Sequence, residues 1–162
     1  RGPRCAGTGV HLRLRGEVVD NGEAVPIGKA EVVRPGRDLT VITYGPMRQR
    51  CLKVAEDLSG TRGHDVEVID LRSLIPFDVE TILESVKRTG RVVIVHEAPI
   101  SLGFGAELTA IIQQKAFGYL HCPIERVAAP DLPYGFAGGD EYYRPNENRI
   151  AAAINRAMEF LV

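Results

Sequence analysis

The 162-residue sequence has no tryptophan, only three cysteines, and few aromatic side chains, which make up 6% of the chain. The cysteines are odd in number, lie far apart and form no CxxC pair: Cys5, Cys51 and Cys122. A disulfide framework or a structural zinc site needs more cysteines at closer spacing. Both kinds of site are therefore unexpected, and the cysteine content favours a reducing compartment.

An excess of one charge and a long apolar run are also missing. Lys+Arg number 20 and Asp+Glu number 21, for a net charge of −1. This balance argues against nucleic-acid binding, which usually goes with a clear basic excess. No segment approaches the ~20 apolar residues of a membrane-spanning helix, so we expect no contact with a membrane. The hydrophobic fraction of 44% and the length suit one globular domain.

The first residues differ in composition from the rest. Residues 1–16 contain no acid and five basic or imidazole side chains: Arg1, Arg4, His11, Arg13 and Arg15. They form either a basic arm for an acidic partner or a linker taken out of its context, and we favour the linker because chain ends are usually poorly ordered. The chain begins with arginine, which suggests a fragment or a processed product. We expect residues 1–24 to be an irregular linker or arm and residues 25–162 to form the domain.

Strand-like and helix-like segments alternate through that domain. Short runs of β-branched and apolar residues predict strands at residues 39–44, 65–71, 91–96 and 124–129. Helical periodicity follows each strand, with stops at Gly60 and Gly63, a cap at Asp78 and another at Asn146. This alternation predicts an α/β fold with a mostly parallel sheet between two helical layers. The run 91–96 is the most apolar, so we expect it at the centre of the sheet.

The strand ends offer one polar pair, His96 and Glu97. In open parallel sheets, ligands bind at the carboxyl ends of the strands. Neither the further ligands of a metal site nor a serine nucleophile motif accompanies this pair. We therefore assign no catalytic, cofactor-binding or metal residue. The pair is interpreted as structural, holding loop backbone or touching a neighbouring subunit.

A glycine-rich loop, Gly103-Phe104-Gly105, precedes the third predicted helix. Its N–H groups could hold an anion at the helix N-terminus. The run lacks the third glycine of a dinucleotide-binding loop, since Leu108 stands there. The alternative interpretation is that glycine allows a tight turn and close helix packing.

The order and spacing of several runs resemble a known family. They are residues 25–30 (VPIGKA), 38–45 (DLTVITYG), 68–76 (VIDLRSLIP), 78–82 (DVETI), 89–91 (TGR), 96–99 (HEAP) and 103–107 (GFGAE). Together they resemble the C-terminal domain of the beta subunit of 2-oxoacid dehydrogenases, the decarboxylase component of the pyruvate and branched-chain complexes. The same domain occurs more distantly in transketolase and deoxyxylulose-phosphate synthase.

The resemblance implies a three-layer α/β/α fold with a five-stranded, mostly parallel sheet. One edge strand of that sheet is antiparallel, and residues 25–33 are expected to form it. The implied parent enzyme oxidatively decarboxylates a 2-oxoacid and passes the acyl group to lipoyl-lysine. Thiamine diphosphate and Mg lie between the alpha subunit and the N-terminal half of the beta subunit. This chain alone is therefore implied to bind no cofactor and to be inactive, and to work in the bacterial cytoplasm or the mitochondrial matrix.

The implied partners are the alpha subunit, the N-terminal half of the beta subunit, a second beta subunit and the subunit-binding domain of the dihydrolipoyl acyltransferase. Two positions that dock the acyltransferase in this family can be matched to this sequence. They are the turn at His121-Cys122 and the chain end, Phe160-Leu161-Val162. The family usually has an acid in that turn, whereas this chain has His121. Two alternatives stay open: the C-terminal domain of a transketolase or deoxyxylulose-phosphate synthase, and a stand-alone anion-binding module.

Overall fold

A five-stranded sheet forms the middle of the molecule. The computed structural model describes residues 24–133 and 143–160. The strands are β1 (Glu31–Arg34), β2 (Leu39–Thr43), β3 (Val66–Asp70), β4 (Val92–Pro99) and β5 (Glu125–Ala129). Their order across the sheet is β1-β3-β2-β4-β5. Strands β2 to β5 pair in parallel, and β1 pairs antiparallel with β3.

Helices cover both faces of the sheet. They are α1 (Met47–Arg62), α2 (Val79–Thr89), α3 (Phe104–Ala116) and α4 (Glu147–Glu159), with a 3-10 turn at Phe117–Tyr119. One buried cluster joins α1 and α4 to the sheet, and the other joins α2 and α3 to its opposite face. Alternate residues of β2 divide between the clusters, Val41 entering the first and Ile42 the second. The predicted three-layer α/β/α fold, with one antiparallel edge strand, is confirmed.

Most helix boundaries follow the predicted signals. The Asp78 carboxylate accepts a hydrogen bond from the Thr81 N–H (3.2 Å), and the Asn146 side chain accepts one from the Arg149 N–H (2.9 Å). Gly63 ends α1 in the left-handed region (φ +70°), a conformation that glycine adopts without a Cβ clash. The predicted stop at Gly60 is wrong, because the helix continues through it.

The prediction that residues 91–96 form the central strand is also wrong. β2 holds the middle position, and β4 lies beside it. Both strands have neighbours on two sides and helices on two faces, so β2 is buried along its whole length and β4 along its first five residues. Apolar composition therefore identifies β2 and β4 as interior strands, but it does not show which of the two is central. The crossover through α2, which carries the chain over β2 to β4, sets the order.

The edge strand is shorter than the predicted segment 25–33 and lies at its end. It spans four residues, Glu31–Arg34, and contains a bulge between Val32 and Arg34. Residues 1–23 lie outside the described part, so the expected boundary at residue 24 stays a prediction. Among the described residues, no helix combines the length and the apolar character needed to cross a membrane.

Candidate functional site

His96 lies inside β4 rather than at its end, because the strand continues to Pro99. The side chain is fully buried, and its ring stacks on Tyr44 with 5.9 Å between centroids. Neither ring nitrogen has a hydrogen-bond partner within the described residues. Burial lowers the pKa of His96, which favours the neutral imidazole. An enclosed neutral ring suits a packing role better than proton transfer to a substrate.

The imidazole of His96 fits against the glycine loop because the loop has no side chains at Gly103 and Gly105. A Cβ on Gly105 would overlap His96 Nε2, and one on Gly103 would overlap the Pro99 carbonyl oxygen. The first turn of α3 therefore lies directly on the imidazole. The ring of Phe104 closes the site, packing edge-on against Tyr44 at 6.2 Å between centroids. This contact supports the interpretation that the two glycines serve close packing.

Glu97 does not act together with His96. Successive side chains of a strand point to opposite faces. The Glu97 carboxylate lies 3.6 Å from the Arg144 guanidinium and is half-buried. Burial, with a smaller effect of the Glu97 charge, raises the pKa of Tyr44 to about 12. The two residues of the predicted pair thus have different partners, although His96 stacks on Tyr44 and the Glu97 charge acts on the same side chain. The role of the pair at an interface stays a prediction.

The two predicted docking positions meet at the opposite, amino edge of the sheet. A groove of about 460 Å³, with mainly apolar walls, runs between the turn before β5 and the end of α4. It is lined by Cys122, Pro123, Glu125, Arg156, Ala157, Glu159 and Phe160. We call it the amino-edge groove. His121 is exposed beside it, and Leu161 and Val162 lie outside the described residues.

Arg91 connects the turn before β5 to the end of α4. Its Nε donates to the Ala157 carbonyl oxygen (3.0 Å), and its Nη1 approaches His121 Nδ1 at 3.5 Å. The His121 backbone N–H donates to the Gly90 carbonyl oxygen (2.7 Å), which fixes the turn. Burial raises the pKa of Cys122, so its thiol stays protonated at neutral pH. Sequence motifs do not identify Arg91, although it is a cation that comes directly before the most apolar strand.

The described residues offer no cluster suited to a metal ion. No three His, Cys, Asp or Glu side chains come together among residues 24–133 and 143–160. What the geometry does provide is a tightly packed carboxyl edge and an accessible apolar groove at the amino edge, which suit packing and docking.

Comparison with known proteins decides the family. Residues 28–150 match the family described as transketolase, C-terminal domain. The chain belongs to this family. The matched range includes all five strands, α1 to α3 and the turn at His121, and it ends in the first turn of α4. The transketolase C-terminal domain identified from sequence motifs is confirmed.

Two curated relatives of this transketolase C-terminal domain are beta subunits. The chain is 49% identical over 143 residues to the 2-oxoisovalerate dehydrogenase subunit beta of Pseudomonas aeruginosa, covering 88% of the chain and 39% of that protein. It is 42% identical over 154 residues to the pyruvate dehydrogenase E1 component subunit beta of Staphylococcus aureus, covering 93% of the chain and 47% of that protein. The chain thus spans less than half the length of these relatives.

Solved structures support the same fold. A split-gene transketolase, described as an inactive beta4 tetramer, superposes with a TM-score of 0.74 at 27% identity. That alignment covers 88% of this chain and 45% of the other. A 2-oxoglutarate:ferredoxin oxidoreductase superposes with a TM-score of 0.51 at 15% identity, covering 80% and 19%, and it bears on the fold alone.

Proposed function

We propose that this chain is the assembly and partner-docking domain of the beta subunit of a thiamine diphosphate-dependent 2-oxoacid dehydrogenase. The observation that carries the proposal is the identity of 49% and 42% to two such beta subunits over about nine-tenths of the chain. The parent enzyme decarboxylates a 2-oxoacid oxidatively and passes the acyl group to lipoyl-lysine. Pyruvate and a branched-chain 2-oxoacid are both compatible substrates.

The chain contributes contacts rather than chemistry in this proposal. His96 is enclosed, and no metal-ligand cluster occurs in the described residues. Thiamine diphosphate and its magnesium are held by the alpha subunit and the N-terminal half of the beta subunit. The chain alone is expected neither to bind the cofactor nor to release carbon dioxide from a 2-oxoacid.

The amino-edge groove is the proposed docking site for the subunit-binding domain of the dihydrolipoyl acyltransferase. It joins the turn at His121-Cys122 to Phe160, whose side chain is 44% exposed. A half-exposed aromatic residue beside an apolar groove is the kind of anchor that carries much of the energy of an interface. Apolar walls with a charged rim are typical of docking surfaces.

Titration calorimetry with that subunit-binding domain tests the docking role. We expect Phe160→Ala to weaken binding by about tenfold or more, since truncating an anchor residue costs ~2 kcal/mol or more. Phe117→Ala is the matched control, because Phe117 is a 68% exposed aromatic outside the groove and its loss should leave the affinity unchanged. Equal effects of the two substitutions, or no binding to the unaltered chain, would reject docking at this groove.

A transketolase is the second candidate for the parent enzyme. The superposition on a split-gene transketolase favours it, at 27% identity. The two candidates differ in reaction: a transketolase moves a two-carbon ketol unit between sugars, whereas the proposed enzyme releases carbon dioxide from a 2-oxoacid. Assaying the complete parent enzyme with both substrate classes separates them.

A further inference from the structure

The outward side of α3 carries few charges. Between Glu107 and Lys115, the positions that are not buried are all uncharged: Thr109, Ala110, Ile111, Gln113 and Gln114. The other helices differ, since α1 contains six charged residues and α2 and α4 contain four each, whereas α3 contains two. A helix on the surface of a globular protein normally places charged and polar residues outward. The composition of α3 therefore indicates a face that another surface covers.

A shallow depression of about 440 Å³ with mainly apolar walls lies on this face. Its lining comes from α3 alone: Glu107, Ala110, Ile111, Gln113 and Gln114. Ala110 is exposed and Ile111 is half-buried. Side chains of this size at a contact allow two helices to pack closely. The depression alone does not identify what packs there, but the charges at its two ends do.

The two ends of this face carry opposite charges. Glu107 and Lys115 are both exposed and stand eight residues apart, about 12 Å along the helix axis. Ile111 lies midway, four residues from each, so the three side chains follow one row along the helix. Neither Glu107 nor Lys115 has an ion-pair partner within residues 24–133 and 143–160. The uncharged face thus ends in an acid on one side and a base on the other.

This arrangement is complementary to itself. In the commonest packing of two helices, rows of residues four apart lie alongside each other. When two copies of α3 are related by a two-fold axis at Ile111, these rows run in opposite directions. Glu107 of each copy then meets Lys115 of the other, which gives two ion pairs around an apolar centre. One patch serves both copies, as it does in closed two-fold dimers.

We propose that two copies of this chain associate through the outward faces of their α3 helices, with Glu107 of each copy paired with Lys115 of the other. This inference rests on the assembly role proposed above, for which it names the partner and the face. A parallel arrangement would bring the two Glu107 carboxylates together, and such like-charge contacts are unfavourable. A different polypeptide would need an acid and a base at the same spacing, which a second copy supplies by symmetry.

Analytical ultracentrifugation of the full chain tests this pairing. Glu107→Lys and Lys115→Glu each place like charges together at both contacts, so we expect each to weaken dimerisation by about tenfold or more. Mixed in equal amounts, the two variants regain an acid opposite a base at both contacts. Dimerisation should then return to within about threefold of the unaltered chain, as the coupling of two contacting residues requires. That recovery also shows that both variants fold.

Lys53→Glu and Glu56→Lys are the matched controls. Both residues are exposed on α1, which packs on the opposite face of the sheet from α3. The two substitutions change the net charge of the chain by the same amounts as the two α3 variants. Neither control should alter dimerisation, so an effect of net charge alone is separated from a contact at α3.

Three results would overturn the inference. A monomer at concentrations up to about 100 µM would assign the α3 face to another subunit or to residues outside the described part. A weakened dimer that the mixture does not restore would show that Glu107 and Lys115 have other partners. A dimer that survives both α3 substitutions would reject the face and leave the assembly role standing. If the pairing holds but the parent enzyme contains no second type of chain, the proposed function fails instead.

Discussion

At the scale of single residues, His96 and Gly105 resemble parts of an active site in the sequence, but in the structure they pack against each other. A histidine beside a glutamate at a strand end, followed by a glycine loop, is compatible with both catalysis and packing. The residue types were evident from the sequence, and so was the structural interpretation of both features. The contact between them was not evident, because Gly105 comes nine positions after His96 and only the turn geometry brings the two residues together.

Gly105→Ala should destabilise the fold by about 1–3 kcal/mol, since its Cβ would overlap the buried imidazole. The loss should shrink in a His96→Ala background, where the overlapping ring is gone. Gly60→Ala is the control, because Gly60 also lies in a helix and a Cβ there meets nothing within 4 Å. It should stabilise by about 0.5–1 kcal/mol. Urea unfolding of the four variants checks this, and an unchanged loss in the double variant would refute the contact.

At the scale of secondary-structure elements, α2 depends on one carboxylate. Asp78 begins the helix and accepts hydrogen bonds from the Thr81 backbone, the Thr81 hydroxyl and the Ala30 N–H, while the Lys29 ammonium lies 3.6 Å away. Burial acts to raise the pKa of Asp78, but these hydrogen bonds and the Lys29 charge together lower it. The cap therefore ties α2 to the segment that leads into β1.

Asp78→Ala should cost about 1–2 kcal/mol at neutral pH, the usual range for a lost helix cap. The lowered pKa means that the carboxylate stabilises the folded state above its ordinary pKa of ~3.9, and that this contribution disappears as the pH falls through the folded value. The difference between Asp78→Ala and the unaltered chain should therefore shrink below about pH 4.

Asn146→Ala provides the comparison, because Asn146 caps α4 through an amide that does not titrate. Its cost should stay constant over the same pH range. Urea unfolding at about pH 7, 5 and 3 distinguishes the two caps. Parallel losses for both variants at every pH would contradict the assigned role of the Asp78 charge.

The sequence predicts the secondary-structure elements better than it predicts single contacts or the strand order. Strand positions, caps and the two apolar faces followed from periodicity, because each depends on residues close together in the chain. The order of β2 and β4 did not, since it depends on a crossover that local patterns do not encode. Arg91 was missed for the same reason: its partners, Ala157 and His121, are 66 and 30 residues away.

At the scale of the whole molecule, the two edges of the sheet differ. The carboxyl edge of the sheet is filled by aromatic and imidazole rings, and the amino edge holds the groove that joins the turn before β5 to the end of α4. The relatives extend well beyond this chain, which covers 39% and 47% of their lengths. This difference between the two edges supports the proposal that the domain holds an enzyme together and presents it to a partner.

The most direct test of the central claim is native mass spectrometry of the protein carrying this sequence, purified from its source. We predict a polypeptide about twice the length of this chain, in agreement with the coverage of its relatives, in an assembly with a second, different polypeptide that supplies the alpha subunit. A single polypeptide several-fold longer, with no second type of chain, would contradict the account and favour a transketolase. A polypeptide of this chain's length, purified without partners, would contradict it in favour of a separate binding module.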